Sequence, residues 1–328
     1  MSARWGRSTP STAPPVVLLG PRDGRNTLSN VIEELEAAGA VSPDSRIAAV
    51  TAGWREREAQ VGLFDPRLAA RVVDLELYRR SARVADADPE LARARREAQD
   101  RLKLLRRAYN VRLAGCIDAY VRLLDLRGDA SVLSAERAEA LEAIRRLDER
   151  QLARVAEIRS EFECGYTPEA RDPVRAQRRE VERLLEDAEA VVIAGGHVGL
   201  LLSRLRLFGG RELLGERAVI GRSAGAMVLT DRVVLFHDRP PWGAGNPEVF
   251  DAGLGLAEGI VALPHASARL VLDDRDRTSR LAARFAPAAC VLLDPGQRVD
   301  RAPAGWSGHG GVELIDRAGR CVSLSDAA

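Results

Sequence analysis

One short segment of the chain, residues 221–226, has the residue types of a nucleophilic site and reads Gly-Arg-Ser-Ala-Gly-Ala. It lies between the apolar runs 218–220 and 227–229, an order that predicts a strand, a sharp turn and a helix. A serine with a glycine two positions away on each side fits a nucleophile elbow, where flanking side chains would clash. Such a turn would expose the Ser223 hydroxyl and make the amide of Ala224 an oxyanion-hole donor. The alternative is a strand–helix turn with an ordinary serine.

A second glycine-containing turn precedes this segment in the chain. The apolar run 190–194 predicts a buried strand that ends at Gly195-Gly196, and leucines at helical spacing follow from Leu200. A Gly-Gly pair lets backbone amides approach a ligand closely, and sites in open α/β sheets form at the carboxyl ends of strands. The alternative is a tight turn that binds nothing.

A serine nucleophile needs a general base, and the chain has four histidines for that role: His197, His237, His265 and His309. The apolar run 260–263 predicts a short strand that places His265 at its end. Because a strand end is a rigid support, we predict His265 as the base. The alternative is a half-buried structural histidine.

These motifs resemble those of the serine peptidases that include peptidase E (aspartyl dipeptidase) and cyanophycinase. The segments that carry the resemblance are 195–196, 221–226, 238–240, 253–256 and 264–265. Altogether the resemblance covers approximately residues 14–80 and 172–325. It implies a class I glutamine-amidotransferase-like α/β fold, in which a mostly parallel sheet is flanked by helices and serine replaces the amidotransferase cysteine.

The resemblance also implies a role for each of five residues. Ser223 matches the nucleophile, His265 the general base, and Asp238 the aspartate that orients the histidine in the peptidase E branch. The backbone at Gly196 and Ala224 would form the oxyanion hole. The expected enzyme cleaves a peptide or isopeptide bond in a small substrate, of the aspartyl dipeptide or β-aspartyl type, through an acyl-enzyme. Neither a metal nor an organic cofactor is expected.

Three residues are candidates for substrate binding: His197, Arg222 and Arg269. His197 stands where peptidase E has an asparagine that helps to hold substrate, and it adds a second imidazole near the nucleophile. Arg269, like Arg277, is close in sequence to His265 and could pair bidentately with a substrate carboxylate. The alternative for either arginine is chance placement in an arginine-rich chain.

A helical block, residues 88–170, departs from the family pattern. Asp88-Pro89 predicts a helix start, residues 127–129 break the helical pattern, and Ser134 is the predicted N-cap of a second helix that ends near 165–168. Apolar stripes at helical spacing predict an antiparallel hairpin; they comprise Leu91, Ala94, Ala98, Leu102, Leu105, Tyr109 and Leu113, then Leu141, Ile144, Leu147, Leu152, Val155 and Ile158. The many Arg and Glu residues indicate a solvated face with i,i+4 pairs. The alternatives are a lid, a homodimer interface or a docking arm.

The predicted organisation is therefore a disordered tail over 1–13, a hydrolytic α/β domain over 14–87 and 171–328, and the inserted hairpin over 88–170. A function of another class in the same fold is a non-catalytic binding protein that acts through the helical insertion. A glutamine amidotransferase is disfavoured because the elbow carries serine, a weaker nucleophile than cysteine.

The composition argues against several kinds of partner. A net charge of +1 over 328 residues gives no electrostatic case for nucleic acid. No segment is long enough to span a membrane and no signal peptide is evident, so we expect a cytoplasmic protein. The four cysteines lack the paired spacing of a zinc site. The expected partners are a small peptide-like substrate and, through the insertion, a second copy of the chain.

Overall fold

The computed structural model describes residues 14–22, 28–60, 65–239, 245–302 and 305–324. The predicted tail over 1–13 and Pro240 of the family motif lie outside the described residues. Over the described residues the strands, β1 to β13 in chain order, are Val16–Leu19, Arg46–Val50, Val72–Asp74, Ala188–Ile193, Ala218–Arg222, Arg232–Leu235, Glu248–Ala252, Ile260–Pro264, Ala289–Leu293, Arg298–Ala302, Gly305–His309, Glu313–Ile315 and Cys321–Ser323. The α-helices, α1 to α9, are Leu28–Ala37, Leu77–Ala87, Pro89–Asp125, Ala130–Tyr166, Asp172–Leu185, Val198–Leu207, Ala224–Leu229, Ala266–Arg269 and Arg275–Phe285.

The central sheet has the order β11-β10-β1-β5-β4-β2-β3 among the described strands. The five strands from β1 to β3 in this order run parallel, and β10 and β11 continue it antiparallel. Alternate residues of β1 enter two buried clusters, Val16 and Leu18 on one face and Val17 and Leu19 on the other. Both faces are therefore covered by helices, as parallel strands require. The predicted mostly parallel sheet flanked by helices is confirmed.

A second sheet, in the order β13-β12-β9-β8, positions the region of His265. Strands β8 and β9 are parallel, with Pro264 opposite Leu293 at their carboxyl ends. The residues that follow these two strands, His265 and Asp294, therefore lie at the same edge. A separate antiparallel pair, β6 and β7, precedes this sheet in the chain and carries the segment on which Asp238 lies.

The helical block folds into two long antiparallel helices, α3 and α4. The predicted cap at Asp88 is confirmed, because its Oδ1 accepts the backbone N–H of Leu91 at 3.0 Å. The predicted cap at Ser134 is wrong. Asp129 caps α4 instead, accepting the N–H groups of Ser131 and Val132 at 2.8 and 3.2 Å. Aspartate at the end of the break caps as well as serine does, so the helix starts five residues earlier than predicted.

The hairpin is fastened to the α/β body by three buried polar side chains, Tyr109, Asp148 and Arg284, here called the buried triad. Tyr109 Oη donates to Asp148 Oδ1 at 2.8 Å and accepts the N–H of Val249 at 3.1 Å. Arg284 of α9 binds both carboxylate oxygens of Asp148, at 2.7 Å each, and also donates to Tyr109 Oη at 2.8 Å. The side chains of Asp148 and Arg284 are each only 4% exposed. The inner face of the hairpin is therefore packed on the body rather than solvated.

The outer face of the hairpin matches the predicted solvated surface. Ion pairs within α3 join Lys103 to Asp100 at 2.8 Å and Arg122 to Asp118 at 2.8 Å, and all four side chains are exposed. Pairs of this kind contribute a few tenths of a kcal/mol each, ~0.3–0.5 kcal/mol. Over the described residues, no helix combines the length and apolar character that crossing a membrane requires.

Asp148→Ala is expected to lower the free energy of unfolding by about 3–5 kcal/mol, because it leaves the Arg284 guanidinium buried without its counter-charge. Urea unfolding followed by circular dichroism measures the loss. Glu149→Ala is the matched control, since Glu149 is the next residue of α4 and is exposed. Equal stability of the two variants would contradict a fastening role for the buried triad.

Candidate active site

Ser223 lies in a sharp turn between β5 and α7 and has backbone angles of φ 52° and ψ −113°. A positive φ is uncommon for a residue that is not glycine, and such strain persists only where neighbouring contacts impose it. One such contact is the hydrogen bond from the Ser223 N–H to the carbonyl oxygen of Leu19 at 2.8 Å. The turn leaves the serine half-buried at the carboxyl end of the parallel strands.

The glycines on both sides of Ser223 are required by close backbone packing. A Cβ added to Gly225 would lie 2.0 Å from the carbonyl oxygen of Ile193, and one added to Gly221 would lie 2.8 Å from Gly225. The spacing recognised in the sequence therefore has a steric cause here: the end of β4 crosses directly over the start of α7.

The Gly195-Gly196 turn lies against the serine. A Cβ on Gly195 would be 3.2 Å from Ser223 Cβ, while Gly196 has φ 103° and would place a Cβ 2.4 Å from the carbonyl oxygen of Gly53. On the other side of the serine, the amide of Ala224 is in the first turn of α7, where N–H groups lack partners within the helix. Ser223 thus has the two predicted oxyanion-hole segments as neighbours.

The loop 52–57 under Gly196 is positioned by a residue that the sequence did not single out, Glu58. Its buried carboxylate accepts the N–H groups of Tyr78 and Arg79 at 2.8 Å each. Burial raises the pKa of Glu58 to about 7, against the opposing effect of those hydrogen bonds. No local motif marks Glu58, because its partners are about twenty residues away in the chain.

His265 directly follows β8 and has φ 60° and ψ 36°. Its N–H donates to the carbonyl oxygen of Leu293 at 3.0 Å, and its own carbonyl oxygen accepts the N–H of Arg269 at 3.0 Å. Burial, and then the charge of Arg269, lower the pKa of His265, while the charge of Asp294 acts in the opposite direction. A lowered pKa keeps the imidazole neutral, which is the form that a general base needs.

Asp238 follows β6, and its side chain is only 4% exposed. Its Oδ1 accepts from Arg277 at 2.5 Å, and its Oδ2 accepts the N–H of Val271 at 3.1 Å. Its backbone N–H donates to the carbonyl oxygen of Arg269, at the end of the helix that His265 begins. Within the described parts of the chain, no hydrogen bond joins Asp238 to His265. Its orienting role stays a prediction.

Asp294 is a second acidic residue beside His265, and sequence reasoning missed it. It follows β9, and its carboxylate accepts the N–H of Ser267 at 3.1 Å as well as the Ser267 hydroxyl. Its charge acts on the His265 imidazole. The available signal was the apolar run that ends at Leu293, because a parallel neighbour of β8 would place its next residue at the same edge.

The structure assigns the other imidazoles different surroundings. His197 caps α6, with Nδ1 accepting the N–H of Leu200 at 3.2 Å, and its own N–H donates to Gly53. Burial, and then the charge of Arg55, lower the pKa of His197. His309 Nε2 lies 3.2 Å from Asp300 on the antiparallel edge of the central sheet. His197 is thus near the site, with one nitrogen occupied by the helix.

The candidate substrate-binding arginines differ in their environment. Arg222, at the end of β5, is half-buried, and burial followed by the charge of Arg22 lowers its pKa. The Arg269 guanidinium lies 5.8 Å from the centre of the Phe236 ring. Neither guanidinium forms an ion pair with a described carboxylate, whereas Arg277 is engaged by Asp238.

The candidate site lies within the part of the chain that matches a known protein family. Residues 150–299 match the model of peptidase family S51, a range that includes Ser223, Asp238 and His265. The resemblance to this family is confirmed. With it, the expectation of a serine-type peptidase or amide hydrolase is confirmed at the level of enzyme class. The curated proteins compared with the chain include no match.

Two solved structures are similar to this chain at low identity. A peptidase from an acI-B1 actinobacterium is 14% identical, with 95% of this chain and 97% of that chain covered and a TM-score of 0.41. A candidate peptidase E from Listeria monocytogenes EGD-e is 16% identical, with 42% of this chain and 63% of that chain covered and a TM-score of 0.26.

The described residues contain no group of three His, Cys, Asp or Glu side chains that could hold a metal ion.

Gly225→Ala is expected to lower the free energy of unfolding by at least about 1–3 kcal/mol, because its Cβ would overlap the backbone of Ile193. Gly115→Ala is the control, since Gly115 lies within α3 and an added Cβ there meets nothing within 4 Å. Thermal unfolding of both variants measures the contrast. A Gly225→Ala protein as stable as the Gly115→Ala protein would contradict the close crossing of β4 over α7.

Proposed function

We propose that this protein hydrolyses a peptide or isopeptide bond in a small substrate, with Ser223 as nucleophile and His265 as general base. The observation that carries the proposal is the strained backbone of Ser223, φ 52° and ψ −113°, at a strand–helix turn. A nucleophile elbow requires this geometry, and an ordinary turn serine does not. The family match over residues 150–299 supports the same chemistry.

In this mechanism Ser223 Oγ attacks the carbonyl carbon of the substrate while His265 accepts the hydroxyl proton. The tetrahedral oxyanion is held by the amide of Ala224 and the backbone at Gly196, and each such donor contributes about 3 kcal/mol. Collapse breaks the C–N bond, and His265 gives its proton to the departing amine. A water molecule, deprotonated by His265, then attacks the acyl-enzyme ester, and the product acid leaves as Ser223 regains its proton.

The third member of the triad has two candidates, which different observations support. The family resemblance points to Asp238, whose backbone N–H binds the end of the helix that begins at His265. Electrostatics favour Asp294, whose charge reaches the imidazole. The carboxylate of Asp238 is already occupied by Arg277 and Val271, so its effect on His265 would pass through the backbone of α8.

The aspartyl or β-aspartyl class of substrate follows from the family resemblance and has one local support. Arg222 and Arg269 flank the two catalytic residues in sequence and form no ion pair with a described carboxylate. A guanidinium without a counter-ion can bind a substrate carboxylate bidentately. His197 adds an Nε2 group that its capping hydrogen bond leaves available.

A fluorophosphonate probe is expected to add one covalent label to the wild-type protein and none to Ser223→Ala, because only an activated serine reacts. Intact mass measures the adduct, and His265→Ala should slow labelling by about 10²-fold or more. Ser134→Ala, at an exposed serine of the helical hairpin, serves as the control. Full labelling of Ser223→Ala would contradict the assignment by locating the activated nucleophile elsewhere, and the absence of a label on the wild type would favour a non-catalytic binding protein.

Replacing Asp238 and Asp294 one at a time distinguishes their roles. If Asp294 stabilises the imidazolium, Asp294→Asn lowers kcat by about 10²-fold or more and moves the acidic limb of the pH profile to lower pH. Asp238→Asn would then mainly disturb folding through Arg277, with a small change in kcat. Initial rates between pH 5 and 9 on an aspartyl dipeptide measure both effects. The opposite ranking would assign the orienting role to Asp238.

The charge of Arg269 offers a test of the base itself. Because this charge lowers the pKa of His265, Arg269→Met should raise that pKa and shift the acidic limb of kcat/KM to higher pH. Arg280→Met is the control, an arginine of α9 for which a smaller effect on the imidazole is expected. An unchanged acidic limb in Arg269→Met would argue against His265 as the titrating base.

A further inference from the structure

A cavity of about 490 Å³ lies away from the catalytic residues, between the helical hairpin and the body. Its walls come from α3 and α4 on one side and from α5, the second half of α6 and the turn at 209–212 on the other. Leu102, Phe162 and Leu207 supply apolar surface, and arginine and glutamate side chains supply much of the remainder. Cavities of this volume are in the range that small ligands occupy.

Of the arginines that line this cavity, Arg95 lacks an anionic partner among the described residues, and Arg204, which does not line it, adds a second positive charge nearby. Arg95 Nη2 and Arg204 Nη1 both donate to the hydroxyl of Ser203, at 3.5 and 3.3 Å. The Nε–H of Arg204 is buried and meets no acceptor among the described residues. Burial, and then the charge of Arg204, lower the pKa of Arg95 to about 10. The Ser203 hydroxyl therefore accepts hydrogen bonds from two positively charged groups. This arrangement costs free energy unless an anion binds there.

The other arginines around the cavity already have carboxylate partners. Arg159 and Arg206 both bind Asp251, the second of them at 3.1 Å. Arg178 pairs with Glu182 at 3.0 Å. Arg95 is therefore the one lining arginine among the described residues that has no ion pair with a carboxylate.

Glu58 attracts Arg204 electrostatically, but its carboxylate is held by the backbone of α2. The remaining interaction of the Arg204 guanidinium is with the ring of Tyr78, whose centre lies 5.8 Å away. Neither neighbour provides Arg95 with a counter-ion.

The rim of the cavity carries the opposite charge. Glu163, Glu169 and Glu212 are exposed, line the cavity and form no ion pair with a described cation. A multiply charged anion such as phosphate would be repelled by them, whereas a ligand with a separate cationic group would be attracted.

We propose that this cavity binds a small zwitterion of the amino acid or short peptide class, with its carboxylate on Arg95 and the Ser203 hydroxyl and its ammonium toward the glutamates of the rim. The site is separate from the proposed catalytic serine, and its occupant would be a product or a regulator rather than the substrate that is cleaved. Charge-assisted hydrogen bonds to the Arg95 guanidinium would supply most of the affinity.

Calorimetric titration of full-length Ser223→Ala protein tests the proposal without turnover. Three probes are compared: glycylglycine, glycylglycinamide without the carboxylate, and N-acetylglycylglycine without the ammonium. Glycylglycine is expected to bind, the acetylated form to bind at least about fivefold more weakly, and the amide to give no measurable heat. Failure of glycylglycine to bind, or tighter binding of inorganic phosphate, would overturn the proposal.

Variants then locate the binding site. Arg95→Met in the Ser223→Ala background should weaken glycylglycine binding at least tenfold. Arg93→Met, two residues away on the same helix and 66% exposed, should leave it unchanged. If Arg95→Met fails to fold, Ser203→Ala provides the second test, with a predicted several-fold loss. Unchanged binding in a folded Arg95→Met or Ser203→Ala protein would show that the dipeptide occupies another site, which contradicts the proposal whatever the role of Ser223.

Discussion

The carbonyl oxygen of Ile193 occupies the space that a side chain at position 225 would need, and the geometry of the site follows from that close approach. Strand β4 can end directly over the start of α7 only because Gly225 lacks a Cβ. The crossing brings the Gly195-Gly196 turn to Ser223, which has a positive φ of 52°. In the proposed mechanism, the hydroxyl and the nearby amides would be positioned before substrate binds, and such preorganisation is the main source of oxyanion stabilisation in enzymes that use an oxyanion hole.

Fixed side chains also position the segment that leads into β7, and they connect it to the hairpin. Arg284 of the buried triad also donates to the carbonyl oxygen of Pro247 at 2.5 Å, and Arg277 donates to that of Gly245. The segment 245–247, which leads into β7, is therefore held by two arginines of α9. One of them is fixed by Asp148 of the hairpin and the other is paired with Asp238. Packing of the hairpin and placement of Asp238 are consequently linked through one helix.

Local patterns in the sequence predicted much of this arrangement. The elbow around Ser223 was predictable because its steric requirement is met by residues within four positions of one another. The cap at Asp88 was predictable for the same reason. Asp294 and Glu58 were missed because their neighbours come from distant parts of the chain, and the pairing of β8 with β9 or of a loop with α2 leaves no local signature. The cap at Asp129 was missed because the apolar stripe of the second helix begins later than the helix does.

The connection of the hairpin to the body restricts how the lengths of its helices can vary. Asp88 ends α2 and caps α3, so the first long helix leaves the body through a single residue with no flexible linker. Each residue of a helix adds 1.5 Å and about 100° of rotation. One residue gained or lost between Asp88 and Tyr109 would turn the tyrosine away from Asp148, whereas changes beyond Tyr120, the last residue of α3 that packs on the core, would alter only the tip. Related chains should therefore keep the length of the inner half of the hairpin and differ freely in the length of its outer half.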